Sequence, residues 1–151
     1  MHDRPLRLLF VCTANMCRSP MAEGIARKLS VDHGVPVEVR SAGILAEPGF
    51  RALDEVVTVC GEVGIDLAEH RSQRLDASLV EWADHVLVME NGHAMAVHAC
   101  DWRAPYKIWK VGDFVGKPKI ADPTGGSLRD YRKTRDLLVN AIEVAFDRLV
   151  T

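Results

Sequence analysis

The chain has 151 residues, a formal net charge of −2, 48% hydrophobic side chains and 26% charged ones. That length supports one domain with a real core and is too short for two ordinary ones. The balance is that of a soluble globular protein, and a charge so close to zero excludes the electrostatic footprint of a nucleic-acid or anionic-membrane binder.

The N-terminal stretch MHDRPLRLLFVC holds an apolar run too short to span a membrane, and no small-residue cleavage site follows it. Four irregularly spaced cysteines make no disulfide framework. A reducing cytoplasm is the expected compartment. Leu6 to Val11 reads as a strand buried on both faces. Pro20 to His33 follows as a helix, and Val37 to Arg40 as an alternating strand that stops at the turn signal Ser41-Ala42-Gly43. Helices are then expected over Arg51 to Val63 and Asp76 to Ala83, with a third strand over His85 to Met89. A short helix over roughly Gly92 to Ala99 precedes a weaker strand within Tyr106 to Val111, and Gly112 to Gly126 reads as a loop-rich segment. In the last helix, Ser127 to Leu149, an apolar face gathers Leu128, Tyr131, Leu138, Ile142, Ala145 and Leu149.

Strands alternating with helices predict an α/β fold. The expected unit is a single three-layer domain over residues 1–151: a central four-stranded parallel sheet, flanked by helices on both faces. Ligands of such sheets bind beyond the carboxyl ends of the strands, and Cys12 falls where the first strand ends. Pro20 suits the first helical position and Ser19 the N-cap. The backbone between them can converge on an anion at a helix N-terminus, a field that also favours the Cys12 thiolate. Arg18, six residues after Cys12, can curl over this cradle and hold two phosphoryl oxygens in its planar fork. Ser19 can hydrogen-bond the sulfur, and Asn15 tolerates the positive φ of a tight anion nest. Thiolate attack yields a phosphocysteine, and its leaving group needs a proton. Asp122, on a glycine-rich loop and backed by Pro123, is the candidate general acid. Neither H-E-x-x-H nor paired C-x-x-C occurs, so no metal is expected, and the chemistry requires no cofactor.

The loop VCTANMCRSP strongly resembles the V-C-x-G-N-x-C-R-S-P signature of the low-molecular-weight protein tyrosine phosphatase family. Further matches are Ser41-Ala42-Gly43, GIDLAEHRSQRL at Gly64 to Leu75, ADHVLVM at Ala83 to Met89 and DPTGGSLRDY at Asp122 to Tyr131. The resemblance implies a phosphate-binding loop of Thr13, Ala14, Asn15, Met16, Cys17 and Ser19. Within it Cys12 would be the nucleophile and Arg18 the phosphate binder, with Asp122 as general acid. It implies a supporting network from Asn15, Ser19, Ser41 and His70. It also gives Cys17 as an oxidation partner of Cys12 that would spare the reactive thiolate, and leaves Cys60 and Cys100 as ordinary cysteines.

Three positions depart from that pattern. Ala14 stands where the family has glycine, so Ala14 is expected at negative φ beside a left-handed Asn15. At the substrate rim, Glu47 and Thr124 replace aromatic walls, a loss of stacking that weakens an aryl phosphate; Phe50, Trp102, Tyr106 and Trp109 are the candidates to compensate. Met16 is bulky and apolar, as suits a tyrosine-type pocket, whereas DP-x-GGS looks like the bacterial branch that includes arginine phosphatases. The expected substrate is a phosphorylated protein, with phosphotyrosine as default and phosphoarginine as alternative. A thiol-dependent arsenate reductase and a non-catalytic phosphate-binding module are the remaining readings. The expected protein is a monomer or weak homodimer.

Overall fold

The computed structural model describes residues 4–150; the outermost positions of the expected 1–151 unit, residues 1–3 and 151, lie outside the described residues. Four strands, β1 (Leu6–Cys12), β2 (Val37–Gly43), β3 (His85–Val88) and β4 (Ile108–Lys110), form one sheet in the order β2-β1-β3-β4. Every pairing is parallel. The helices are α1 (Arg18–His33), α2 (Asp54–Gly61), α3 (Ala77–Trp82), α4 (Asn91–Cys100) and α5 (Leu128–Leu149).

The apolar run of β1 is continuous because both of its faces are covered. Leu8, Phe10 and Cys12 enter one core beneath α1, α2 and α5, while the alternate residues Leu9 and Val11 enter another beneath α3 and α4. This is the expected α/β/α layering. None of the helices among the described residues is long and apolar enough to cross a membrane.

Local chemistry sets the element ends. α1 stops at Gly34, whose left-handed φ of 65° lets its N–H reach the Ser30 carbonyl. Asp76 caps α3 by accepting the Leu79 N–H, and Ser127 with Asp130 forms a reciprocal capping box on α5. α5 buries Tyr131, Leu138, Ile142 and Ala145 but leaves Leu128 exposed and Leu149 half-buried, since the helix ends overhang the core. α2 is shorter than its apolar pattern, because Leu53 is extended and the chain before it wraps the site. The Ser41-Ala42-Gly43 run is not a turn: β2 continues through it, and the three residues pair with Phe10, Val11 and Cys12. Gly43, with no side chain, leaves room for the backbone of Thr13 to Asn15 packed upon it.

The chain leaves β1 toward β2 on one side of it and returns to β3 on the other. Connections diverging from the two sides of a strand open a crevice at its carboxyl end, and that end is Cys12.

Candidate active site

Residues 13–17 link β1 to α1 as a loop with no regular structure. Asn15 is the sole non-glycine residue with positive φ among the described residues, at 58°, so Ala14 adopts an ordinary negative φ beside it. α1 starts two residues earlier than Pro20 suggests. Cys17 occupies the cap position without a side-chain cap bond, and Pro20 is the third helical residue. Ser19 therefore does not cap. Its hydroxyl lies 2.8 Å from the Cys12 sulfur and 2.8 Å from the Asn15 amide nitrogen, fully inside the fold.

Asn15 organises the cradle from behind. Its side-chain N–H groups donate to the Ser19 and Ser41 hydroxyls at 2.8 and 2.9 Å, and its Oδ1 accepts the Gln73 N–H at 2.9 Å. The Gln73 donor fixes the amide orientation, since only the oxygen can face it. Ser41 in turn donates to Glu23 at 2.5 Å, and Glu23 pairs with Arg27. His70 Nε2 sits 2.7 Å from the Asn15 carbonyl and must carry the proton there, because a carbonyl only accepts. The Ser19 oxygen already accepts from Asn15, which leaves its own proton for the sulfur.

Arg18 is 2% exposed. Its Nη1 donates to Glu90 Oε2 at 2.6 Å and to the Ile120 carbonyl at 2.8 Å, filling both N–H positions of that nitrogen. Nη2 faces the site, 3.5 Å from Thr13 Oγ1 and 3.9 Å from Asp122 Oδ2. The Glu90 carboxyl is held below its usual range by the Arg18 hydrogen bond. His93, 3% exposed, places Nε2 3.0 Å from Thr13 Oγ1, and its Nδ1 is buried with no partner. Burial, then the Arg18 charge, lower its pKa. Burial also pushes the Cys17 thiol up to about 12, with the Asp122 charge adding to the effect.

The loop after the Ile120 carbonyl brings Asp122 to the mouth. Its Oδ1 accepts both the backbone N–H of Thr124 at 3.0 Å and the Thr124 hydroxyl at 2.6 Å. Cys12, Thr13, Asn15, Arg18, Ser19, Ser41, His70 and Asp122 thus converge as the sequence leads one to expect. Glu23, Gln73, Glu90 and His93 belong to the same arrangement; the motifs pass over Glu23, Glu90 and His93, and Gln73 lies inside GIDLAEHRSQRL without being singled out. The position of Glu90, just after β3 and beside β1, is the signal that marks it.

At the rim, Met16 is half-buried, and Glu47, Phe50 and Thr124 are exposed. Phe50 is laced to Ser72, its carbonyl accepting the Ser72 N–H at 2.7 Å and its N–H donating to the Ser72 hydroxyl at 2.8 Å, and the same segment returns to donate the Leu53 N–H to the Met16 carbonyl at 3.0 Å. Trp102 and Tyr106 precede β4 and so lie toward the opposite end of the parallel sheet. Trp109 turns to His85, at the start of β3, and to Phe114. Of the four compensating aromatics, Phe50 alone stands on the cradle side. Cys60 is buried against α5, and Cys100 closes α4, about 15 Å along the helix from its site-side start. Both are free thiols.

A family model for low molecular weight phosphotyrosine protein phosphatases matches residues 7–150. The chain is 39% identical over 149 residues to a protein-arginine-phosphatase of Geobacillus stearothermophilus, covering 97% of this chain and 98% of that one. It is 32% identical over 143 residues to a probable low molecular weight protein-tyrosine-phosphatase of Ralstonia nicotianae, with 94% of each chain covered. The crystal structure of a low molecular weight protein tyrosine phosphatase from T. tengcongensis matches with a TM-score of 0.90 at 39% identity, over 95% of this chain and 99% of that one.

Proposed function

Because this chain belongs to the low molecular weight phosphotyrosine protein phosphatase family, we propose that it dephosphorylates proteins through a phosphocysteine on Cys12. The observation that carries the reading is one mouth shared by three groups. The Cys12 sulfur is 2.8 Å from a proton-donating Ser19, and Arg18 turns its Nη2 to within 3.9 Å of Asp122 Oδ2. Glu90 and the Ile120 carbonyl occupy Nη1, so the Nε–Nη2 edge of the fork is what remains for two phosphoryl oxygens. The thiolate attacks phosphorus, the S–P bond forms as the bond to the leaving atom breaks, and Asp122 gives its proton to that atom. In the second half, Asp122 takes a proton from water as its oxygen attacks phosphorus. The P–S bond breaks, and the Ser19 hydroxyl stabilises the departing thiolate.

The preferred substrate side chain is phosphotyrosine. Half-buried Met16 and exposed Phe50 offer apolar surface beside the cradle for an aryl ring. A second reading, phosphoarginine, is favoured by the hydroxyl of Thr124 where a ring would be expected, by the exposed carboxylate of Glu47, and by the similarity to protein-arginine-phosphatases. Hydrolysis of phosphotyrosine and phosphoarginine peptides by wild type, Cys12→Ser and Glu47→Trp tests both. Cys12→Ser should be inactive on either; full activity would sink the mechanism. Wild type should favour phosphotyrosine, and Glu47→Trp should widen that margin. A wild-type preference for phosphoarginine reverses the substrate assignment.

A further inference from the structure

We propose that Thr124 is a positioning residue that decides which oxygen of Asp122 carries the catalytic proton. The proposal rests on the reading of Asp122 as general acid. A carboxylic acid has two oxygens, and only a proton on the one facing the leaving atom is useful. Asp122 Oδ1 accepts two donors from Thr124, its N–H at 3.0 Å and its hydroxyl at 2.6 Å. The shorter contact falls in the charge-assisted range for a hydroxyl on a carboxylate. An oxygen already accepting two hydrogen bonds on that side is the poorer seat for a proton, so the proton belongs on Oδ2. Oδ2 is the oxygen turned inward, 3.9 Å from Arg18 Nη2. A phosphoryl group gripped by that guanidinium would place its leaving atom on the Oδ2 side.

Thr124 can do this because of what stands between it and Asp122. Pro123 fixes its own φ and lacks an N–H, so the carboxylate that folds over it meets the Thr124 N–H and hydroxyl two residues on. An aromatic residue at position 124 would keep the backbone donor, supply a wall, and lose the hydroxyl. This chain has exchanged a stacking surface for a second hold on its acid. The exchange matters little for a leaving group that departs as a stable anion. It matters most for one that must be protonated as it leaves.

The experiment is a leaving-group series: kcat/KM for aryl phosphates from strongly acidic to weakly acidic phenols, with wild type, Thr124→Val, Thr124→Ser and Asp122→Ala. Inhibition by inorganic phosphate is measured in parallel to report the cradle. General acids contribute about 100- to 10,000-fold, so a misdirected proton should cost at least about tenfold on the least acidic phenols. Thr124→Val should show that loss, be close to wild type on the most acidic phenols and bind phosphate normally, while Thr124→Ser should restore the wild-type slope. A uniform loss across the series, or none, with Asp122→Ala still steep, overturns the role of Thr124. A flat series for Asp122→Ala overturns the general-acid reading itself, and the proposal with it.

Discussion

Glu90 Oε2 lies 2.6 Å from Nη1 of Arg18, a side chain 2% exposed, while Glu90 keeps 34% of its own side chain in solvent. The pair is thus lopsided. The cation is buried and depends on the bond, whereas the anion is one-third exposed and could do without it. Glu90 is therefore the group that sets the direction of the Arg18 fork, since Nη1 is held by it and by the Ile120 carbonyl.

Replacing Glu90 by Ala should leave Arg18 buried with its Nη1 held by the Ile120 carbonyl alone. Hydrogen bonds to charged groups are worth about 1.5–3 kcal/mol, so kcat/KM for a small aryl phosphate should fall by roughly 10- to 100-fold. Inhibition by inorganic phosphate should weaken in step. Glu90→Gln keeps an acceptor and should lose less. Unchanged phosphate inhibition in the Ala variant would show that Arg18 is held without Glu90.

Gly43→Ala should damage the cradle from beneath. A Cβ there would stand 2.6 Å from the Thr13 carbonyl oxygen and 2.8 Å from the Asn15 nitrogen, both backbone atoms that cannot step aside. Overpacking of this kind costs about 1–3 kcal/mol. The variant should melt at lower temperature and bind phosphate poorly. A variant with wild-type phosphate affinity would mean that the loop relaxes off the strand.

Ala14 and Asn15 should respond in opposite ways. Ala14 is exposed and outside the positive-φ region, so Ala14→Gly should leave the unfolding free energy within about 0.5 kcal/mol, the scale of a surface change. Asn15→Ala would force alanine into a left-handed conformation, costing roughly 1–2 kcal/mol. It would also strand Ser19, Ser41 and the Gln73 N–H. Urea unfolding of the two variants checks the contrast.

His93 should make the fold acid-sensitive. Its pKa is lowered, first by burial and then by the Arg18 charge. The unfolded chain therefore binds this proton at higher pH than the native state does. The stability contributed by neutral His93 is complete above the unfolded value of about 6.5 and is lost as pH falls through the lowered native value. Unfolding free energies from pH 8 to pH 5 should drop more steeply for wild type than for His93→Gln. Parallel curves would remove His93 from the account.

The legible part of the site was the part that is contiguous. Cys12, Arg18 and Ser19 lie within eight residues, and strand followed by helix gives their spacing a meaning. Asp122 was legible through the proline behind it. Glu90 and His93 were not, because a Glu beside an Asn-Gly pair reads as an ordinary helix start. Their importance comes only from β3 lying next to β1. The Ser41-Ala42-Gly43 run looked like a turn for a related reason: small residues favour turns locally, and here Gly43 is small because the backbone of Thr13 to Asn15 sits on it. Ser19 looked like a cap because serine before proline usually is one, yet the sulfur and Asn15 hold its hydroxyl. Trp102 and Tyr106 could not be placed without the topology, which sends them to the far end of the sheet, and Trp109 packs on His85 and Phe114.

The reach of Asn15 has a thermodynamic consequence. Its partners Ser19, Ser41, His70 and Gln73 come from α1, from β2 and from a loop up to 58 residues away along the chain. No short segment of the chain can assemble the anion cradle alone, so an unfolded or partly folded molecule has no such cradle. Phosphate bound there is linked to the folding of the whole sheet, stabilising it by RT ln(1 + [L]/Kd). The melting temperature thus becomes a direct gauge of cradle occupancy.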